Sequence, residues 1–341
     1  MAAGDWGLIG NERAVRSLQA GVPGERGSHA YLFLGAKGVG RSAAARRLAQ
    51  VLNCTGDDPP CLECNQCTRI AAGIHADVQT LTITEDSEGT TRKLISVEQV
   101  REMEKTVALN PYEGRTRVVV IDPADLLSDG AQNAFLKTLE EPPPHVVLIL
   151  IAGDAASLLE TIRSRCTLIE FRLVPTSDIE AALVAVNVEQ ERARLLARLA
   201  GGRPGWALAA AADEKLLERR RAMLDTARSL PEMPVADRMD FSERLTDRFR
   251  RDREAVVSEI EAWETYWRDV LLVKAAGGEG VANLDLQPEL EADAAAYATG
   301  DVVTFLRALG DAREHLASNV QPRMALDALL LQAPRRAAAS R

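Results

Sequence analysis

Aromatic side chains are scarce in this chain, 4% of 341 residues, so its cores must be built from Leu, Val, Ile and Ala. Hydrophobic residues nonetheless make up 46%, enough for two or three domains at ~100–200 residues each. A core of aliphatic residues and alanine leans helical. Positive charge is also short: 41 Lys and Arg face 50 Asp and Glu, a formal net charge of −9. Proteins that wrap DNA alone are usually basic, because phosphate neutralisation dominates their affinity. Autonomous DNA binding is therefore excluded as the main role, while local contact with DNA inside an assembly is not. No stretch reaches the ~18 apolar residues of a membrane span. No basic segment leads into an apolar run at the start, so no signal peptide is expected and the expected location is the cytoplasm. Internal repeats are absent. The four histidines, His29, His75, His145 and His315, sit beside no visible nucleophile and read as structural or surface groups.

Cysteines are few, but four of the five lie close together. Cys54, Cys61, Cys64 and Cys67 are separated by six, two and two residues. In a reducing compartment such a cluster reads as a metal site rather than as disulfides. Two overlapping Cys-x-x-Cys steps and an upstream cysteine can close a tetrahedral thiolate site with no open position. That makes the metal structural, with Zn²⁺ the fitting ion. The alternative is four reduced thiols without metal.

Along the chain, Tyr31–Leu34, Val78–Ile83, Val118–Ile121 and Val146–Ile151 are short apolar runs of strand length. Helical patterns over Arg41–Asn53, Val97–Leu109 and Ser128–Glu140 separate them, the last stopped by Pro142-Pro143-Pro144. Solid apolar strands alternating with helices predict a parallel sheet covered on both faces. After Phe171 the strand signal fades. Ser177–Ala200 predicts two short helices, and Asp213–Leu331 predicts a helical bundle interrupted at Pro231–Pro234 and Gly277–Gly280. Ile260, Trp263, Trp267, Val270 and Lys274 share one helix face, and the tryptophans read as bundle core. Arg335–Arg341 reads as a frayed tail.

Gly35-Ala36-Lys37-Gly38-Val39-Gly40-Arg41-Ser42 follows a strand and opens a helix. This is the context of a phosphate loop: glycines let the backbone wrap a phosphate, and the helix N-terminus offers free N–H groups. Ser42 is placed to meet a metal. The usual lysine is replaced by Arg41, which is longer, planar and forked. Two readings of the pocket follow, a retained fold without ligand and passive ATP or ADP binding. The second phosphate-site strand ends Asp122-Pro123. Asp122 can serve Mg²⁺, but proline supplies no carboxylate to activate water. Asp125, three residues on, would need a different backbone path and is not expected to take over.

These segments resemble bacterial DNA polymerase III clamp-loader subunits of the AAA+ family over nearly the whole chain. The resemblance is carried by Leu8-Ile9-Gly10-Asn11-Glu12, Ser28-His29-Ala30-Tyr31-Leu32-Phe33, the phosphate loop and the cysteine cluster. It continues in Asn110-Pro111-Tyr112-Glu113-Gly114, Leu136-Lys137-Thr138-Leu139-Glu140-Glu141-Pro142-Pro143 and Ser164-Arg165-Cys166. The resemblance implies a ring that opens the sliding beta clamp and loads it on primer-template DNA. Each ATP lies between subunits, and Arg165 matches the arginine inserted into a neighbour's site. Such a finger is worth ~10³–10⁵ in rate.

Arg41, Pro123, Ile151-Ala152-Gly153 without a terminal hydroxyl, and Gly205 where motor subunits carry arginine point to the delta-prime type. The expectation is therefore a hydrolysis-deficient member of a polymerase holoenzyme, partnered by gamma/tau and delta subunits. The alternative is an active gamma/tau-type ATPase. A helicase-type motor is a third reading, disfavoured by the cysteine cluster and the Leu-Lys-Thr-Leu-Glu-Glu run. The expected organisation is a RecA-like AAA+ domain over residues 1–172 with a zinc module at 54–67. A helical lid over 173–212 and a helical collar over 213–341 follow. Expected nucleotide-site residues are Gly35, Gly38, Gly40, Arg41, Ser42 and Asp122; expected metal ligands are the four clustered cysteines.

Overall fold

The apolar runs do form strands, and their alternation shows why both sheet faces are covered. In the computed structural model, which describes residues 6–21, 28–83, 94–278, 280–317 and 320–336, the chain falls into two compact units. The first is Met1–Ala182 with Gly202–Trp206, and the second is Leu183–Gly201 with Ala207–Arg341.

The first unit runs α1 (Glu12–Gly21), β1 (Ala30–Leu34), α2 (Arg41–Asn53), α3 (Asn65–Ala71), β2 (Val78–Leu81), α4 (Val97–Val107) and β3 (Arg117–Ile121). It continues α5 (Asp129–Glu140), β4 (Val146–Ala152), α6 (Glu160–Arg163) and β5 (Thr167–Glu170), and α7 (Thr176–Ala185) begins in it. The five strands pair in parallel in the order β2-β3-β4-β1-β5. This is the expected parallel-sheet α/β domain. The strand β5 is not visible as an apolar run; only Ile169 of its four residues is buried.

Successive strand residues point to opposite faces. Leu32, Val119, Ile121, Leu148 and Leu150 bury one face with Val100 and Met103 of α4 and Phe135 and Leu139 of α5. Tyr31, Phe33, Val118, Val120, Ile149 and Ile151 bury the other with Leu18 of α1 and Ala44 and Leu48 of α2. Every residue of β4 is buried, as a central parallel strand requires. Ser96 caps α4 in a reciprocal box with Gln99, and the Ser128 side chain accepts from Ala131 N at the start of α5. Such caps are worth ~1 kcal/mol each.

The second unit is helical: α8 (Gln190–Leu199), most of α9 (Pro204–Ala212), α10 (Lys215–Ser229), α11 (Val235–Arg251), α12 (Arg253–Ala276), α13 (Gln287–Ala296), α14 (Thr299–Ala317) and α15 (Pro322–Leu331). The aromatic stripe of α12 is core, as expected. Ile260, Trp263, Trp267 and Val270 are fully buried, and Trp267 stacks edge-on against Tyr297 and Phe305 at 5.2 and 5.7 Å. Lys274, at the end of that stripe, donates Nζ to Ala294 O at 2.6 Å. The tail starts later than expected, because Arg336 bridges to Tyr297 and pairs with Glu232 at 2.5 Å. The rest of the expected tail lies outside the described residues. Among the described residues no helix is long and apolar enough to cross a membrane.

Candidate functional site

The phosphate loop leaves the C-terminal end of β1 and feeds α2. Gly35, with φ +148°, passes so close to the end of the sheet that a Cβ there would lie 2.3 Å from Phe171 O. Only glycine permits that crossing. Gly40 caps α2 in a left-handed conformation. Asn11 ties the loop to the sheet: its Nδ2 donates to Arg172 O (3.0 Å) and Val39 O (3.3 Å), and its Oδ1 accepts from Arg172 N (2.7 Å). The segment 202–206 rests on the same loop. Gly205 N donates to Gly38 O at 2.9 Å, and a Cβ on Gly205 would stand 3.1 Å from that oxygen. A backbone contact thus occupies the position expected to carry an arginine in motor subunits.

The ends of β3 and β4 complete the pocket. Ser42 Oγ donates to Asp122 Oδ2 at 2.7 Å. Arg41 donates from Nη1 to Ala152 O, the last carbonyl of β4. Burial lowers the Arg41 pKa from its ordinary value, and the carboxylates of Asp122 and Asp125 pull it back up. Asp125 stands at the same pocket. After Pro123 a 3-10 turn over Ala124–Leu126 follows β3. It brings Asp125 Oδ1 within 3.4 Å of Gly153 N and places the carboxylate beside Arg41 and Asp122. Burial raises the Asp125 pKa, with Asp122 adding to the rise, while the Gly153 N–H and Arg41 oppose it. Gly35, Gly38, Gly40, Arg41, Ser42 and Asp122 therefore lie at the C-terminal ends of β1, β3 and β4. Asp125 and Gly205 join them, as does Asn11, which had not been expected at the site.

Arg165 lies elsewhere. It stands two residues before β5, whose Thr167 pairs with Tyr31 near the start of β1. The phosphate loop leaves the far end of β1, and five strand residues span about 13 Å. Arg165 and the phosphate loop thus lie toward opposite ends of the strands. Its guanidinium pairs with Glu140 at 2.7 Å and donates to Thr161 O at 2.9 Å. Cys166 faces inward against the sheet core, and burial pushes its thiol up to about 12.

The four clustered cysteines do come together. Cys54 caps the C-terminal end of α2, Cys64 caps the start of α3, and Cys67 lies within α3. Their sulfurs all lie within 4.8 Å of one another. Thiolates bound at about 2.3 Å to a tetrahedral ion stand about 3.8 Å apart, so small adjustments suffice. Backbone N–H groups already point at the sulfurs: Gly56 and Cys61 at Cys54 (3.4 and 3.3 Å), Cys64 at Cys61 (3.3 Å) and Cys67 at Cys64 (3.4 Å). Burial works against ionising Cys64, but hydrogen bonds from Thr55 and Cys67 outweigh it and bring that thiol down to about 5. Cys67 is pushed up, first by burial and then by its neighbours Cys64 and Cys54. A divalent ion would supply the positive charge that this crowded set lacks. The donor set fits zinc.

Loop, paired aspartate and tetrathiolate cluster together define a P-loop-type α/β domain with a cysteine module set after the phosphate-loop helix. Residues 10–175 match the family described as DNA polymerase III, delta subunit. The tau subunit of DNA polymerase III from Bacillus subtilis is 30% identical over 299 residues, covering 80% of this chain and 51% of that protein. The tau subunit from Escherichia coli is 37% identical over 203 residues, covering 57% of this chain and 30% of that one. Among solved structures, a gamma subunit-related protein from Thermotoga maritima covers 93% of this chain and 97% of its own, at 15% identity and a TM-score of 0.38. Residues 10–175 thus resemble a DNA polymerase III delta-subunit domain, and the chain is similar to tau subunits over about half of their length or less.

Proposed function

We propose that this chain is a delta-prime-type subunit of a bacterial clamp loader. It assembles with gamma/tau and delta subunits in the cytoplasm to place the sliding beta clamp on primer-template DNA. It does not hydrolyse ATP itself, and it lends Arg165 to the nucleotide of a neighbouring subunit. In this reading residues 1–172 form the AAA+ domain, 173–212 the lid and 213–341 the collar. Cys54, Cys61, Cys64 and Cys67 hold a structural Zn²⁺ that pins the far end of the phosphate-loop helix.

The observation that carries the proposal is the state of Arg41. Where a gripping lysine would reach for phosphate, its guanidinium already donates to Ala152 O and lies in the field of two carboxylates. Asp122 and Asp125 both stand beside this one guanidinium. Pro123 leaves the base position empty of a carboxylate. The placement of Arg165 at the opposite end of the strands supports action on another molecule, since its own phosphate loop is out of reach.

Arg165→Ala in the reassembled loader tests the proposal. Assembly should survive while DNA-dependent ATP turnover falls by at least tenfold; unchanged turnover would sink the finger role. A second reading, an active gamma/tau-type ATPase, is favoured by the tau and gamma names of the relatives and by Asp125 beside Asp122. It predicts that the purified chain alone hydrolyses ATP and loses that activity on Asp122→Ala.

A further inference from the structure

The last turn of α5 breaks a local rule. It ends in two consecutive carboxylates, Glu140 and Glu141, immediately before Pro142-Pro143-Pro144. The C-terminal end of a helix carries the negative end of its dipole and favours cations there, not anions. Local violations of this kind concentrate at functional sites.

Arg165 answers the charge of Glu140. Its Nη2 lies 2.7 Å from Glu140 Oε1, and its Nη1 donates to Thr161 O at 2.9 Å. The two acceptors come from different elements, the end of α5 and the short helix α6. Together they hold the guanidinium from two points and leave further donors for another partner. The backbone beneath is fixed as well: Arg165 N donates to Ile162 O at 3.1 Å and Cys166 N to Arg163 O at 3.3 Å. A free arginine side chain samples many rotamers, and ordering it at the moment of reaction costs rate. The Glu140 side chain is 52% exposed and that of Arg165 35%, so water screens the carboxylate from a phosphate arriving on the far side.

We propose that Glu140 is the positioning residue of the Arg165 finger. It holds the guanidinium oriented before a neighbour's nucleotide arrives and does not itself touch that nucleotide. The proposal rests on the reading of Arg165 as a finger in trans.

A double-mutant cycle in the loader, reassembled from the full chain and its ATPase partners, tests it. Glu140→Ala is expected to lower DNA-dependent kcat about three- to fivefold, with KM for ATP, assembly and melting unchanged. Fivefold corresponds to about 1 kcal/mol, the upper end for an exposed ion pair. Glu140→Gln keeps an oxygen acceptor at the same reach and should recover most of the rate. Glu141→Ala, at the same helix end, is the neutral control. In an Arg165→Ala background, Glu140→Ala should cost nothing more. If Arg165→Ala leaves turnover unchanged, the finger reading falls and the positioning role with it. If Arg165→Ala slows the loader and Glu140→Ala does not, the positioning role alone falls. A faster loader on Glu140→Ala would make Glu140 a restraint, and an equal loss in both backgrounds would make it a structural residue; either overturns the proposal.

Discussion

Replacing Arg41 with methionine removes the guanidinium and keeps an apolar stem of similar length. Asp122 and Asp125 then face each other without their cation, and Ala152 O loses its donor. The two aspartates act on Arg41 through charge at a partly exposed position, worth ~0–1 kcal/mol. The lost hydrogen bond adds about 1 kcal/mol. A total of ~1–2 kcal/mol should lower the melting of the first unit by roughly 2–8 °C. The deficit should also depend on pH. Burial already raises the folded-state pKa of Asp125 above its unfolded value. A carboxyl with a raised folded pKa penalises the fold when ionised, and the penalty is relieved as pH falls through that pKa. Without Arg41 the rise is larger, so the gap between wild type and Arg41→Met should narrow on going from pH 7 towards pH ~4. Differential scanning calorimetry across this range reads both effects. Asp125→Asn in the same background should restore most of the loss. A deficit that is the same with and without Asp125→Asn would refute the idea that Arg41 is held there to neutralise the aspartates.

Asp77, with no exposed side-chain surface, accepts the N–H groups of Tyr112, Glu113 and Gly114 at 2.8 Å each and pairs with Arg117 at 3.0 Å. Asp77→Ala should cost ~3–5 kcal/mol in urea unfolding, because a buried cation and three donors lose their partner; a loss under 1 kcal/mol would contradict this. Burial works against ionising Asp77, but those donors and Arg117 outweigh it and hold its pKa below the ordinary value. Its contribution is therefore full above pH ~4 and fades as pH falls below that, so the gap between wild type and Asp77→Asn should close in acid. The zinc reading predicts one metal ion per chain by elemental analysis, lost on Cys67→Ser. After chelation the cluster should loosen and its thiols react with a disulfide reagent, while Cys166, packed against the sheet core, should stay slow. Five fast thiols, or none released, would count against the four-cysteine centre.

The apolar runs of β1, β3 and β4 were legible because these strands are buried on both faces, and such strands read as continuous hydrophobic segments. The strand β5 was not. It sits at the sheet edge with the sequence Thr-Leu-Ile-Glu and a single buried residue, so no run marks it. The helix α12 was legible because Ile260, Trp263, Trp267 and Val270 recur at the helical period. The placement of Asp125 beside Arg41 was not legible, because spacing along a strand says nothing about the turn over Ala124–Leu126.

Residue identity and spacing alone determined the chemistry available to this protein: an arginine in place of the phosphate-gripping lysine, a proline in place of a carboxylate, and four thiols spaced to close on one ion. These are local properties, set by which groups are present and how few bonds separate them. Tertiary structure alone decided what those groups meet. It brought Asp125 back to Arg41, laid the Gly205 backbone on Gly38, and put Arg165 on Glu140 at the end of the strands opposite the phosphate loop. Each of these pairs is separated by 25 or more residues of chain, and the first two by more than eighty. The parallel strand order, which carries no signature in any one segment, is what closes those distances.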